Sequence, residues 1–188
     1  MQQVKYIIKY LLSLVSEPEQ TWKYLSEGDV DESKPDYVQT NYYLPLMGGV
    51  ALGIFILVGW GIDFNIEKAM KGVVIFLAAY FAGPFLATAI LRQVNRKAFK
   101  IELAEDKLQV FVAYCMGFLM IIQLLSAAFP TVKFISFSAL YLFYIVWCAS
   151  DLFFGITENN RWKFSALGFF IMWIAPKVIE YIMSLMIR

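Results

Sequence analysis

The amino-acid sequence predicts an all-α polytopic membrane protein: five transmembrane helices preceded by N-terminal amphipathic, interfacial helices. Three observations lead there. Of 188 residues, 60% are hydrophobic, 18% aromatic and only 16% charged, against roughly 45–50% apolar and about 25% charged in soluble domains. Mean hydropathy is +0.62. Five apolar runs, at about residues 43–62, 72–91, 108–129, 134–154 and 164–187, each approach the roughly 20 residues that cross a ~30 Å hydrocarbon slab. None of the runs alternates apolar and polar residues as a barrel strand does, and backbone polar groups cannot stay unpaired in hydrocarbon, so each run is a helix.

Residues 1–42 read as a cytoplasmic segment of amphipathic helices and an acidic linker, and residues 43–188 as the membrane domain. In the first segment Val4, Ile7, Ile8, Leu11, Leu12 and Val15 recur at helical spacing, with Lys5, Lys9, Ser13 and Ser16 on the other face. That helix is too short and too polar to span; it is expected in the headgroup plane, its lysines toward anionic lipid. The interruption by Lys9 and the lack of a small-residue cleavage site argue against a secretory signal. Ser16 and Glu19 have capping-box spacing and Pro18 suits a first turn, which predicts a second short helix through Trp22 and Leu25. Trp22 and Tyr24 are aromatics of the kind found at membrane interfaces. From Glu27 to Asn41 an acidic stretch with Asp29, Asp31, Glu32, Pro35 and Asp36 reads as a solvated loop, or as a docking segment for a basic partner.

Orientation follows from the connections. With the N-terminus inside, eleven of the sixteen lysines and arginines fall on the cytoplasmic side, four outside, and Lys177 within the fifth run. The N-terminus is therefore expected in the cytoplasm and, after five crossings, the C-terminus outside. Arg92, Arg96, Lys97 and Lys100 make the longest inside connection basic, and together with Lys5 and Lys9 they are candidate lipid-facing residues; a second interfacial helix is expected there. Gly49 and Gly53, Ala79 and Gly83, and Ala113 and Gly117 are small-residue pairs at four-residue spacing, which favour close helix packing and homo-oligomerisation.

Ionisable groups inside a span are costly, on the order of 2.5–3.5 kcal/mol each at the centre, and are candidates for function. Three qualify: Asp151, Lys177 and Glu180. Asp151 lies ~4.5 Å from the cytoplasmic end of its helix and Lys177 ~20 Å from the same end of the next, at ~1.5 Å per residue, so the two cannot pair. Asp151 is expected to meet Arg92, Arg161 or Lys163. Lys177 and Glu180 share a helical face and can neutralise each other, beside Pro176, which invites a kink. They read either as a self-compensated pair near the outer interface or as a proton or ion site.

The layout resembles the bacterial branch of the Yip1-domain family, on its small size, N-terminal amphipathic segment, five spans and short basic link between spans two and three. Pro18-Glu19-Gln20-Thr21-Trp22 is similar to that branch's Pro-x-x-Thr-Trp entry, and Ala113-Tyr114 to an aromatic Gly/Ala-Tyr position. Tyr80, Gly83 and Pro84 stand in a rearranged form of the eukaryotic Asp-Leu-Tyr-Gly-Pro element. No proline follows Tyr114 as it usually does in the family. The resemblance implies a membrane-embedded, non-enzymatic role in a bacterial inner membrane.

The chain has no histidine, which removes the commonest general base and zinc ligand, and no nucleophile or paired-carboxylate constellation stands out. Cys115 and Cys148 read as packing residues, since both fall in apolar runs. The expectation is a scaffold or adaptor without enzymatic activity, cofactor or nucleic-acid partner. Its partners would be membrane lipid with anionic headgroups, proteins at the cytoplasmic face, and further copies of itself. The alternative is a transporter or channel for an ion, lipid or small solute.

Overall fold

The computed structural model describes residues 2–27, 30–59, 65–99, 103–132 and 134–187, and the regular structure among them is helical throughout. Two short helices, α1 (Gln2–Ser16) and α2 (Pro18–Glu27), precede five that are long and apolar enough to cross a membrane: α3 (Pro35–Gly59), α4 (Ile66–Lys97), α5 (Glu105–Ala128), α6 (Phe134–Leu152) and α7 (Glu158–Met186).

The centre of the bundle is α5. Every residue from Val110 to Met120 is buried on all sides, as expected of a helix that is apolar around its whole circumference. Around it pack α3, α4, α6 and α7, with α4 and α7 sharing the most extensive seam. Their outward faces keep large apolar side chains exposed, among them Leu52, Ile56, Phe81, Phe85, Phe170, Trp173, Ile182 and Leu185. A belt of that size is far beyond the apolar patches soluble monomers leave in water.

Local chemistry sets the boundaries. Asn65 caps α4, its side-chain oxygen accepting from the Lys68 amide at 2.9 Å. Gly155, at φ 63°, closes the end of α6 in an αL turn, its amide donating to the Asp151 carbonyl and the Ile156 amide to the Ser150 carbonyl, both at 2.8 Å. α3 begins at Pro35, earlier than the apolar run begins, because the acidic linker winds into the helix: Pro35 suits a first turn, and a π-helical turn over Gln39–Tyr43 carries the chain up to Pro45. α4 likewise continues past Arg92 into a π-helical turn over Asn95–Phe99, where a separate interfacial helix was expected. The last residues of the first predicted run and Lys100 lie outside the described residues.

The largest difference from expectation concerns the N-terminus. α1 and α2 form a helical hairpin packed along α5 and α6, with Tyr10, Leu14, Trp22 and Leu25 at most 3% exposed. Trp22 is therefore a core residue rather than an interfacial anchor. The reason is that α1 has two apolar faces: Tyr6, Tyr10 and Leu14 turn inward, while Val4, Ile8, Leu12 and Val15 stay exposed beside Lys5 and Lys9.

Candidate functional site

The first cluster joins the hairpin to the bundle. The Trp22 ring lies 5.6 Å from Phe111, 6.2 Å from Tyr114 and 5.2 Å from Phe153, centroid to centroid. Its indole N–H donates to the Ile145 carbonyl at 3.1 Å. Tyr114 is the hub: Tyr10 and Tyr42 pack on it at 5.7 and 4.8 Å, its hydroxyl donates to the Glu32 carbonyl, and it meets the Tyr6 hydroxyl at 3.3 Å. Gly117 leaves room for the Tyr42 ring, since a Cβ there would run into the Tyr42 hydroxyl and ring edge. The local resemblance named Trp22 and Tyr114 separately; the structure puts them in one aromatic cluster. Burial pushes the Tyr6 phenol up to about 12 and raises that of Tyr10 as well.

The hairpin also reaches far along α6. The Tyr141 hydroxyl donates to the Val15 carbonyl at 2.8 Å, and the Tyr144 hydroxyl meets Glu19 at 3.5 Å. Tyr141 stands ten residues, ~15 Å at ~1.5 Å per residue, from Asp151 at the other end of that helix. The outer face of the hairpin turn and α2 is mostly polar: Ser16, Glu17, Glu19, Gln20, Lys23 and Glu27 are all exposed, with the Tyr24 ring among them. Lys23 and Glu27 are 3.6 Å apart.

Asp151 pairs with Arg161 at 3.1 Å, one of the three partners expected from depth alone, and the Arg161 guanidinium also sits 4.5 Å over the Trp147 ring. The pair ties α6 to α7 where the two helices meet.

The third cluster lies toward the other end of the bundle. Lys177 and Glu180 form an ion pair at 2.8 Å, as their spacing predicts. Sequence reasoning missed the third member, Gln123 of α5, whose side-chain amide donates to the other Glu180 oxygen at 2.8 Å. An amide deep in an apolar run, fourteen residues beyond the run's other glutamine, Gln109, was the available signal. Gln123 Oε1 is buried with no hydrogen-bond partner among the described residues, and it lines a cavity of about 150 Å³ with Tyr80, Ser126, Pro176 and Lys177. The rest of the lining is largely apolar, with Leu119, Ile122 and Trp173, but the polar atoms of Gln123, Ser126 and Lys177 give a cavity of that size enough partners to hold water.

Tyr80, Gly83 and Pro84 fall at the α4–α7 seam and its neighbours. Gly83 faces Pro176, with 3.7 Å from a Cβ position to that residue. Pro84 has no N–H, so the Tyr80 carbonyl four residues earlier loses its helical donor. The Tyr43 hydroxyl supplies a replacement at 2.6 Å. Gly49, by contrast, has open space beyond its Cα, and Gly53 faces only the Leu124 side chain, so that GxxxG pair brings no two backbones together within the chain.

Of the basic candidates, Lys5, Lys9, Arg92, Arg96 and Lys97 are exposed. Lys9 sits over the Tyr10 ring at 5.2 Å and Arg92 bonds Glu105. Pro84, Arg92 and Arg96 line a lateral cleft of about 520 Å³ between α3, α4 and α5. Among the described residues no group of His, Cys, Asp and Glu is arranged to hold a metal ion. Comparison of the chain with family models, with characterised proteins and with solved structures returned no match.

Proposed function

We propose that this chain is a non-enzymatic integral membrane scaffold or adaptor, with its N-terminus in the cytoplasm and its C-terminus outside, related in plan to the bacterial Yip1-domain proteins. One observation carries the reading: the strip of Ser16, Glu17, Glu19, Gln20, Lys23 and Glu27 on a hairpin sealed against the bundle. At ~2.5–3.5 kcal/mol per charge in hydrocarbon, that strip does not face lipid. It faces water or another protein, at a level where α6 is flanked by apolar helices, and a charged strip held on a rigid hairpin is a surface for partners or for further copies of the chain. The closed centre of the bundle supports the same view, because α5 is wrapped by apolar side chains from Val110 to Met120.

A photo-crosslinking residue in place of Gln20 tests this in intact cells, with one in place of Phe170 as the lipid-facing control. Discrete protein adducts at residue 20 and none at residue 170 are expected; the same adduct pattern at both positions contradicts the proposal.

The competing reading, a transporter or channel for an ion, lipid or small solute, is favoured by the cluster of Gln123, Lys177 and Glu180 beside its cavity. Proteoliposome flux with and without a proton gradient separates the two. Under the scaffold reading Lys177→Ala lowers the amount of protein in the membrane and no flux is seen with either form. Flux in the wild type that Lys177→Ala abolishes at normal protein levels decides for transport.

A further inference from the structure

The lateral cleft between α3, α4 and α5 has the chemistry of a phospholipid site, and we infer that it holds one membrane phospholipid whose headgroup carries both a phosphate and a primary ammonium, of the ethanolamine type. The inference rests on the membrane-spanning reading of the chain and is independent of the scaffold role.

The cleft is graded along its length. On α4 its lining residues Pro84, Phe85, Thr88, Ala89, Arg92, Gln93 and Arg96 follow one helical face. From Pro84 to Arg96 that face runs ~18 Å at ~1.5 Å per residue. One end is apolar and laterally open, with Phe85 63% exposed. The other end is charged. On α5 the order repeats in the opposite chain direction, Ala113 at the apolar end and Gln109 and then Glu105 toward the charged one. A slot with an apolar floor, a charged mouth and an open side matches an acyl chain below a headgroup. Its volume of about 520 Å³ is within the roughly 300–1,000 Å³ of ligand sites.

The charges at the mouth choose the headgroup. Arg92 is occupied by Glu105. Arg96 and Asp36, both exposed and both lining the cleft, have no ion-pair partner within 4 Å among the described residues. One free guanidinium and one free carboxylate complement a phosphate and an ammonium. An anionic headgroup would satisfy Arg96 and leave Asp36 facing negative charge. A quaternary ammonium would offer Asp36 no N–H, whereas a primary ammonium donates three hydrogen bonds.

The test is native mass spectrometry of the delipidated full chain, offered ethanolamine, choline and glycerol phospholipids with identical acyl chains. One ethanolamine lipid retained about tenfold over its choline counterpart is expected, the scale of one charge-assisted hydrogen bond. Asp36→Asn abolishes that preference, and Arg96→Gln weakens retention of all three lipids; both positions are exposed, so neither change endangers the fold. Equal retention of the three lipids, tighter retention of the glycerol lipid, or an unchanged preference in Asp36→Asn overturns the assignment. Quenching of Trp162 and Trp173 by lipids brominated in their chains is measured in parallel. Quenching without headgroup preference rejects the cleft assignment alone, and absence of quenching rejects it together with the membrane reading.

Discussion

Trp22→Ala is the sharpest perturbation of the hairpin. The side chain is 0% exposed, packs on Phe111, Tyr114 and Phe153, and donates its one N–H to Ile145. Truncating a buried tryptophan to alanine costs about 3–5 kcal/mol. Loss of the hydrogen bond adds little, because the Ile145 carbonyl keeps its place in the α6 ladder. Much of the lost contact is between hairpin and bundle, so the cost falls on docking of α1–α2 rather than on the five long helices. With ~1.4 kcal/mol per factor of ten, the docked-to-undocked ratio is expected to fall by about two to three and a half orders of magnitude. Hydrogen exchange of the detergent-solubilised protein reads this directly: amides of α1 and α2 lose protection while those of α5 keep theirs. Trp22→Phe, which keeps the ring contacts and removes the N–H, should fall between the two. If α1 and α2 stay as protected in Trp22→Ala as in the wild type, the aromatic cluster does not hold the hairpin. If α5 loses protection equally, the hairpin is not a separable unit.

Two further outcomes follow from the same geometry. Tyr43→Phe strands the Tyr80 carbonyl that Pro84 leaves without a helical donor, and is expected to lower stability by about 0.6–2 kcal/mol, seen as a lower midpoint in a denaturant titration in detergent. Raising the pH should release the hairpin: Tyr6 and Tyr10 are held protonated by burial, Tyr6 up to about 12, so docking is at full strength below the ordinary phenol value near 10 and is lost as pH rises from there through about 12. Protease cleavage within residues 1–27 as a function of pH checks this, with Tyr6→Phe expected to shift the release upward.

The five long helices were legible because any helix able to cross hydrocarbon must be a run of apolar residues with its backbone paired internally. The Lys177–Glu180 and Asp151–Arg161 pairs were legible for a related reason: helical spacing and rise alone decide which charges can meet. What lay beyond reach depended on partners distant in sequence. The spacing of α1 is equally compatible with a helix lying on lipid and one docked on protein, and only the Tyr6–Tyr10–Leu14 face against Tyr114 separates them. Gln123 reads as an ordinary polar residue until Glu180 of another helix accepts a hydrogen bond from its side-chain amide. The start of α3 was hidden because the residues from Pro35 to Asn41 are mostly polar, though the backbone is already helical there.

The chain is expected to cross the membrane five times in alternating directions. Cys115 and Cys148 are both buried, so single cysteines placed at exposed Lys34, Lys68, Ala104, Thr131 and Asn159 report sidedness to a membrane-impermeant thiol reagent. Labelling at 34, 104 and 159 from the cytoplasmic side only, and at 68 and 131 from the opposite side only, is the expected result. Labelling of all five from one side, or of 34 and 104 from opposite sides, contradicts it.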